Sequence, residues 1–106
     1  MAKYLFKLSY RVDGVRALQK EGAASRRAMA AKLSEAVGGK LESYYFAFGP
    51  DDAVGVVDLP DNQAAAAISV AANGMGLVGA SVTPLLTVEE MDQAVTKSRA
   101  LQPPGR

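Results

Sequence analysis

The spacing of apolar residues switches between two periods along this chain, and the order of the switches restricts its fold more than any other feature. Residues 3–10 alternate: Tyr4, Phe6, Leu8 and Tyr10 share one side, Lys3, Leu5, Lys7 and Ser9 the other. That is a strand with one strongly apolar face. Asp13 and Gly14 end the run, and Asp13 suits the N-cap of a following helix. From Val15 the step becomes helical, through Val15, Leu18, Gly22, Met29, Leu33 and Val37. Gly22 weakens a helix by about 1 kcal/mol relative to alanine, which predicts a kink or two helical pieces. Gly38-Gly39 is a strong stop.

Residues 40–48 form an aromatic second strand with Leu41, Tyr44, Tyr45, Phe46 and Phe48. Gly49-Pro50-Asp51-Asp52 is a turn, and Ala53 to Leu59 returns as the other arm of a hairpin. Pro60-Asp61 opens a second helix that runs to Asn73-Gly74, with a face of Ala64, Ala65, Ile68, Ala71 and Ala72. Leu77 to Leu86 is a fourth strand. Pro84 has no ladder donor, so this strand belongs at a sheet edge or ends near there. Thr87 and Glu90 have capping-box spacing, and a last helix runs to about Ala100.

The order is β-helix-β-β-helix-β plus a terminal helix. It predicts an α+β, ferredoxin-like sandwich with helices on one face of an antiparallel sheet. Residues 1–100 are expected to form a single domain, and 101–106 a flexible tail. The other sheet face mixes apolar and charged groups, and the second strand is aromatic on both sides. A second copy of the sheet would shelter it, so the chain's expected partner is itself, in a homodimer.

The chain has 106 residues, enough for one core without a metal or disulfide staple. It contains no histidine and no cysteine. Ser-His-Asp and Cys-His catalysis are therefore impossible within it, and neither zinc nor haem finds its usual ligands. No metal and no cofactor are expected. No apolar run approaches the ~18 residues of a membrane span, and the first residues lack a signal-peptide pattern. The expectation is a cytoplasmic protein with no membrane partner.

Net charge is +1, yet the signs are segregated: residues 1–40 hold nine basic and three acidic side chains, residues 41–96 no basic and eight acidic ones. The basic residues are spread through patterned segments, so the preferred reading is complementation within the fold. No recognisable stacking motif accompanies them, and no nucleic-acid partner is expected. Gly74, Gly76 and Gly79 have dinucleotide-loop spacing, but they follow a helix and precede a strand, the reverse of what that loop needs.

Seven segments together resemble the GYD domain: Tyr4-Leu5-Phe6; Glu21-Gly22 with Arg26-Arg27; Gly38-Gly39-Lys40-Leu41; Tyr45-Phe46-Ala47-Phe48-Gly49; Asp52; Asp58-Leu59-Pro60-Asp61; and Thr83-Pro84-Leu85-Leu86-Thr87. The resemblance runs from the first strand to the last helix. It implies a dimeric α/β barrel, in which two ferredoxin-like monomers pair sheet to sheet, and it implies no established activity. Relatives of that architecture include cofactor-independent monooxygenases and muconolactone isomerase-like enzymes. The chain departs from the motif that names the family: Gly49 and Asp52 are present, but Pro50 and Asp51 stand between them where a tyrosine is usual.

A few residues could carry chemistry. Arg26 lies on the apolar helical stripe, from where it could reach a pocket between helix and sheet and bind a carboxylate or enolate; otherwise it snorkels to solvent. Asp52 could act as a general base in apolar surroundings, or cap its own turn. Tyr44 and Tyr45 point to opposite sheet faces, so at most one can orient a phenol or quinone in a given cavity, and packing is the plainer role for either. Lys7 falls in the expected dimer interior, where an ion pair is preferred to catalysis. Asn73 is a lesser ligand-binding candidate, with a helix C-cap as its simplest role.

Two functions compete. The favoured one is a homodimeric domain that binds a small organic ligand or a partner without turnover. The alternative is a cofactor-independent enzyme, monooxygenase- or isomerase-like, acting on a small aromatic or enolisable compound. In it Arg26 holds an anion, a tyrosine orients it, and Asp52 moves a proton.

Overall fold

Four strands form one antiparallel sheet in the computed structural model, whose described residues are 1–101. The elements are β1 (Ala2–Tyr10), α1 (Val12–Glu21), α2 (Ala23–Ala36), β2 (Lys40–Phe46), β3 (Ala53–Leu59), α3 (Asn62–Gly74), β4 (Val78–Pro84) and α4 (Val88–Ser98), then a 3-10 turn, Arg99–Leu101. The strand order is β2-β3-β1-β4. The fold is α+β and consistent with the ferredoxin-like expectation, terminal helix included. Pro84 ends the edge strand β4, where its missing N–H costs no ladder bond.

Register decides which side chains meet the helices. Tyr4 lies opposite Val57 and Pro84, Phe6 opposite Gly55 and Val82, and Leu8 opposite Ala53 and Ala80. Cross-strand partners share a face, so β1 projects its apolar row toward the helices, as its alternation predicts. In β2 the register shifts between Leu41 and Ser43. The irregularity brings Leu41, Tyr44 and Phe46 onto one face, although strict alternation would part Leu41 from the other two. Tyr45 pairs with Val54 and falls on the opposite side.

The core centres on Tyr4, Phe6, Val57, Leu59, Ala64 and Ala65. Burying each large apolar side chain there contributes about 1.5–3 kcal/mol before the entropy of ordering it is counted. The alanines bring α3 close to the sheet. Gly55 is as necessary: a Cβ there would lie 2.4 Å from Phe6 Cζ and 2.1 Å from the Ser43 carbonyl oxygen. Its bare backbone lets the Phe6 ring lie across β3, with the Tyr44 ring 5.5 Å away and tilted by 44°.

Several local expectations need correction. The first helix begins at Val12 with Arg11 at its N-cap, and Asp13 sits in the first turn. The Arg11 N–H donates to the Leu77 carbonyl, which turns the chain before Asp13 is reached. As the glycine predicts, the long helical segment is two helices, separated at Gly22, whose φ of +87° favours glycine. That break interrupts the apolar stripe and leaves Val15 and Met29 exposed. In α3, Ala64, Ala65 and Ala72 are buried but Ala71 faces outward. Asn73 lies inside the last turn of α3, and Met75 is the C-cap.

Asp61 caps α3 by accepting from the Ala64 N–H at 2.8 Å, and Thr87 and Glu90 form the expected capping box on α4. Val88, Met91 and Val95 along α4 stay exposed. The expected tail lies outside the described residues, apart from Leu101, which closes the 3-10 turn. Among the described residues no helix is long and apolar enough to cross a membrane.

Candidate functional site

Between α2 and α3 and the helix-facing side of the sheet lies a cavity of about 100 Å³. That is several times the roughly 10–15 Å³ one water molecule needs. Phe6, Val57 and Ala72 are its buried walls, and Met29 and Met75 its exposed rim. Leu33 from α2, Ile68 from α3, and Val78, Ala80 and Val82 from β4 complete most of the apolar lining. The polar groups in the wall are few: Tyr10, Tyr44, Ser34 and Arg26.

Tyr10 and Tyr44 come from β1 and β2, and their hydroxyls are 3.1 Å apart. Burial, reinforced by this hydrogen bond, pushes the Tyr44 phenol far above its ordinary range, and the nearby Arg26 cation opposes the shift only in part. Tyr44 therefore stays protonated at neutral pH and acts there as a hydrogen-bonding group, not a base. Ser34 spends its hydroxyl on the Ala30 carbonyl at 2.8 Å.

Among the described residues Arg26 is the one charged residue in the lining, and its side chain is only 11% exposed. Its position follows from the break at Gly22. Glu21 ends α1, Arg26 lies in the first turn of α2, and the two form an ion pair across the glycine. The remaining contacts of the guanidinium are weak. Nε donates to Ser25 Oγ at 3.3 Å, and Nη1 faces the Met29 thioether at 4.0 Å.

The other candidates lie elsewhere. Asp52 is not in the lining. Its carboxylate accepts from the Tyr10 N–H at 2.6 Å, and its own N–H donates to the Leu8 carbonyl at 2.8 Å, so it ties the β2–β3 turn to β1. Asn73 also faces backbone: its amide donates to the Ser69 and Ala80 carbonyls at 2.7 and 3.2 Å, and its oxygen accepts from the Ala80 N–H at 2.9 Å. In this way it pairs with strand β4 as a short strand would. Tyr45 and Lys7 are exposed on the sheet face turned away from the helices, Lys7 opposite Val54 and Ser81. On that face Lys3 reaches both Glu42, at 3.1 Å, and Asp58, at 2.9 Å.

Tyr10 in the lining, and Glu21, which pairs with Arg26 from outside it, are not singled out by the sequence. Tyr10 could have been, since alternation puts it in line with Phe6. Glu21 carries no signal beyond its place before Gly22. A second, more open groove of about 250 Å³ runs between α3 and β4 past Tyr4, Asn62 and Ser69, and among the described residues no charged side chain lines it. Among the described residues no three acidic side chains cluster as metal ligands would.

Comparison with known proteins returns one family: the model of the GYD domain matches residues 4–95. No curated protein and no solved structure matches the chain.

Proposed function

The chain belongs to the GYD domain family, and from that premise we propose that it is a homodimeric domain which binds a small organic molecule between its helices and sheet, without turnover. The composition of the cavity wall carries the proposal. Apolar side chains dominate, a few polar groups sit among them, and no aspartate, glutamate or histidine is present. Ligand sites are built this way: apolar surface supplies affinity and a small number of polar groups fix orientation.

Proton transfer would need a group that can take a proton near neutral pH. Tyr44 is shifted the wrong way for that role, and the Asp52 carboxylate is engaged by backbone outside the cavity. This is why binding without chemistry is favoured over cofactor-free turnover.

The homodimer rests on the far side of the sheet. Leu5, Val54 and Val56 lie there only half-buried, beside Lys7, and among the described residues no further element is stacked on them. A second sheet placed against them would remove that apolar surface from water.

Calorimetric titration with 2-naphthol, a compact ring compound, tests the ligand site. Saturable binding is expected, weakened at least fivefold by Ala30→Leu, which fills the lining from α2. Absence of binding, or binding indifferent to both Ala30→Leu and Ala72→Val, overturns the proposal. Sedimentation equilibrium tests the assembly. A dimer is expected at micromolar concentration, and a well-folded monomer there contradicts it.

A further inference from the structure

We infer that the cavity selects compact, ring-bearing monocarboxylates, and that Glu21 acts as a built-in competitor which the incoming carboxylate replaces on Arg26. The inference rests on the ligand-binding reading above and specifies what that site takes.

Donors outnumber acceptors in the cavity wall. A guanidinium has five N–H donors and no acceptor. In Arg26, Glu21 and the Ser25 hydroxyl are the oxygen partners, and Nη1 faces only a thioether, a weak acceptor. The two tyrosine hydroxyls share a single hydrogen bond, so one of their protons is left over. The wall thus offers surplus donors beside one fixed positive charge. An ionised carboxylate is acceptor-only and negatively charged, and it can take two parallel bonds from an arginine fork. A neutral alcohol or amide brings donors of its own that find few acceptors here.

The wall also restricts the charge and shape of its ligand. With a single cation in an otherwise uncharged wall, a second carboxylate on the ligand would be desolvated without a partner, which is strongly unfavourable. The tilted Phe6 and Tyr44 rings and the Met29 and Met75 thioethers suit a ring: aromatic edges and polarisable sulfur both pack well against one.

Glu21 is the more exposed partner of the ion pair. Its side chain is 48% exposed while that of Arg26 is 11% exposed. The glutamate approaches from the solvent side, across the break at Gly22. Swinging it back into water uncovers the guanidinium without repacking the core. Glu21 keeps the cation neutralised while the cavity is empty and lowers the affinity of every acid that must displace it.

The test compares 2-naphthoate with 2-naphthamide, its neutral counterpart, by calorimetry at neutral pH. The native protein is expected to bind the carboxylate at least tenfold more tightly. Arg26→Met should bring that ratio close to one, and Arg26→Lys, which keeps the charge but not the fork, should leave it intermediate. Glu21→Gln should raise the ratio about fivefold. Equal affinity for the two probes, or a ratio that survives Arg26→Met, overturns the acid selectivity while leaving the site itself standing. A ratio that does not rise in Glu21→Gln overturns the competition. If neither probe binds, the underlying ligand-binding reading fails.

Discussion

Replacing Asp52 separates a structural carboxylate from a catalytic one. In the fold its oxygen accepts from the Tyr10 N–H at 2.6 Å in a partly buried setting. Hydrogen bonds to charged groups contribute about 1.5–3 kcal/mol, and partial access of water places this one near the lower half, at about 2 kcal/mol. Asp52→Ala leaves the Tyr10 N–H without its acceptor and should destabilise the protein by about 2 kcal/mol. Asp52→Asn keeps an acceptor but not the charge, so its cost should be about 1 kcal/mol. For a urea slope of about 1.5 kcal/mol per molar, the midpoint should fall by ~1.3 M in the alanine variant and by about half that in the asparagine variant. Equilibrium urea unfolding followed by circular dichroism reads both. A catalytic base predicts a different pattern, in which both variants are equally inactive and neither loses stability. Midpoints within about 0.3 M of the native protein for Asp52→Ala would refute the reasoning.

Three further outcomes follow from single residues. Gly55→Ala should cost about 3 kcal/mol, since the new methyl meets both the Phe6 ring and the Ser43 carbonyl, and thermal unfolding will show it. Gly22→Ala should cost about 2 kcal/mol through its positive φ alone, because open space surrounds that position; a loss within experimental error would mean that the break does not require glycine. Tyr44 keeps its proton longer folded than unfolded, so it contributes a stability that declines as pH rises above about 10; Tyr44→Phe should flatten the alkaline limb of a stability–pH profile, and an unchanged limb would contradict the burial of that phenol.

The parts of this fold that were legible in the sequence are those that local rules decide. Alternation placed Tyr4 and Phe6 toward the helices because a strand has no other way to turn its side chains. Gly22 marked the break between α1 and α2 because helix propensity penalises glycine wherever it falls. Capping chemistry marked Asp61 and Thr87 because few residues can satisfy the free N–H groups of a helix start. What was missed depends on partners far along the chain. The irregularity between Leu41 and Ser43 belongs to the pairing of β2 with β3, and no period in β2 itself reveals it. Asn73 reads as a helix cap in the sequence because Ala80, the backbone it pairs with, lies beyond a turn.

The candidate site was legible only in part. Arg26 stands out in the sequence because a charge on an apolar stripe is unusual. The same stripe gave no hint that Glu21 would meet it, since the two approach each other only through the φ of Gly22. Asp52 drew attention as a carboxylate in a turn, and its backbone partners explain its presence without reference to chemistry. Alternation puts Tyr44 and Tyr45 on opposite faces of the sheet, and Tyr44 is the one that lines the cavity.

Nuclear magnetic resonance of methyl-labelled protein titrated with 2-naphthol tests most directly whether the space beneath the helices is a ligand site. Saturable shifts should appear at the Leu33, Ile68, Val78 and Val82 methyls, with contacts from the bound ring to the same groups. Shifts confined to Leu5, Val54 and Val56 on the far face of the sheet, or no saturable shift at all, would contradict it.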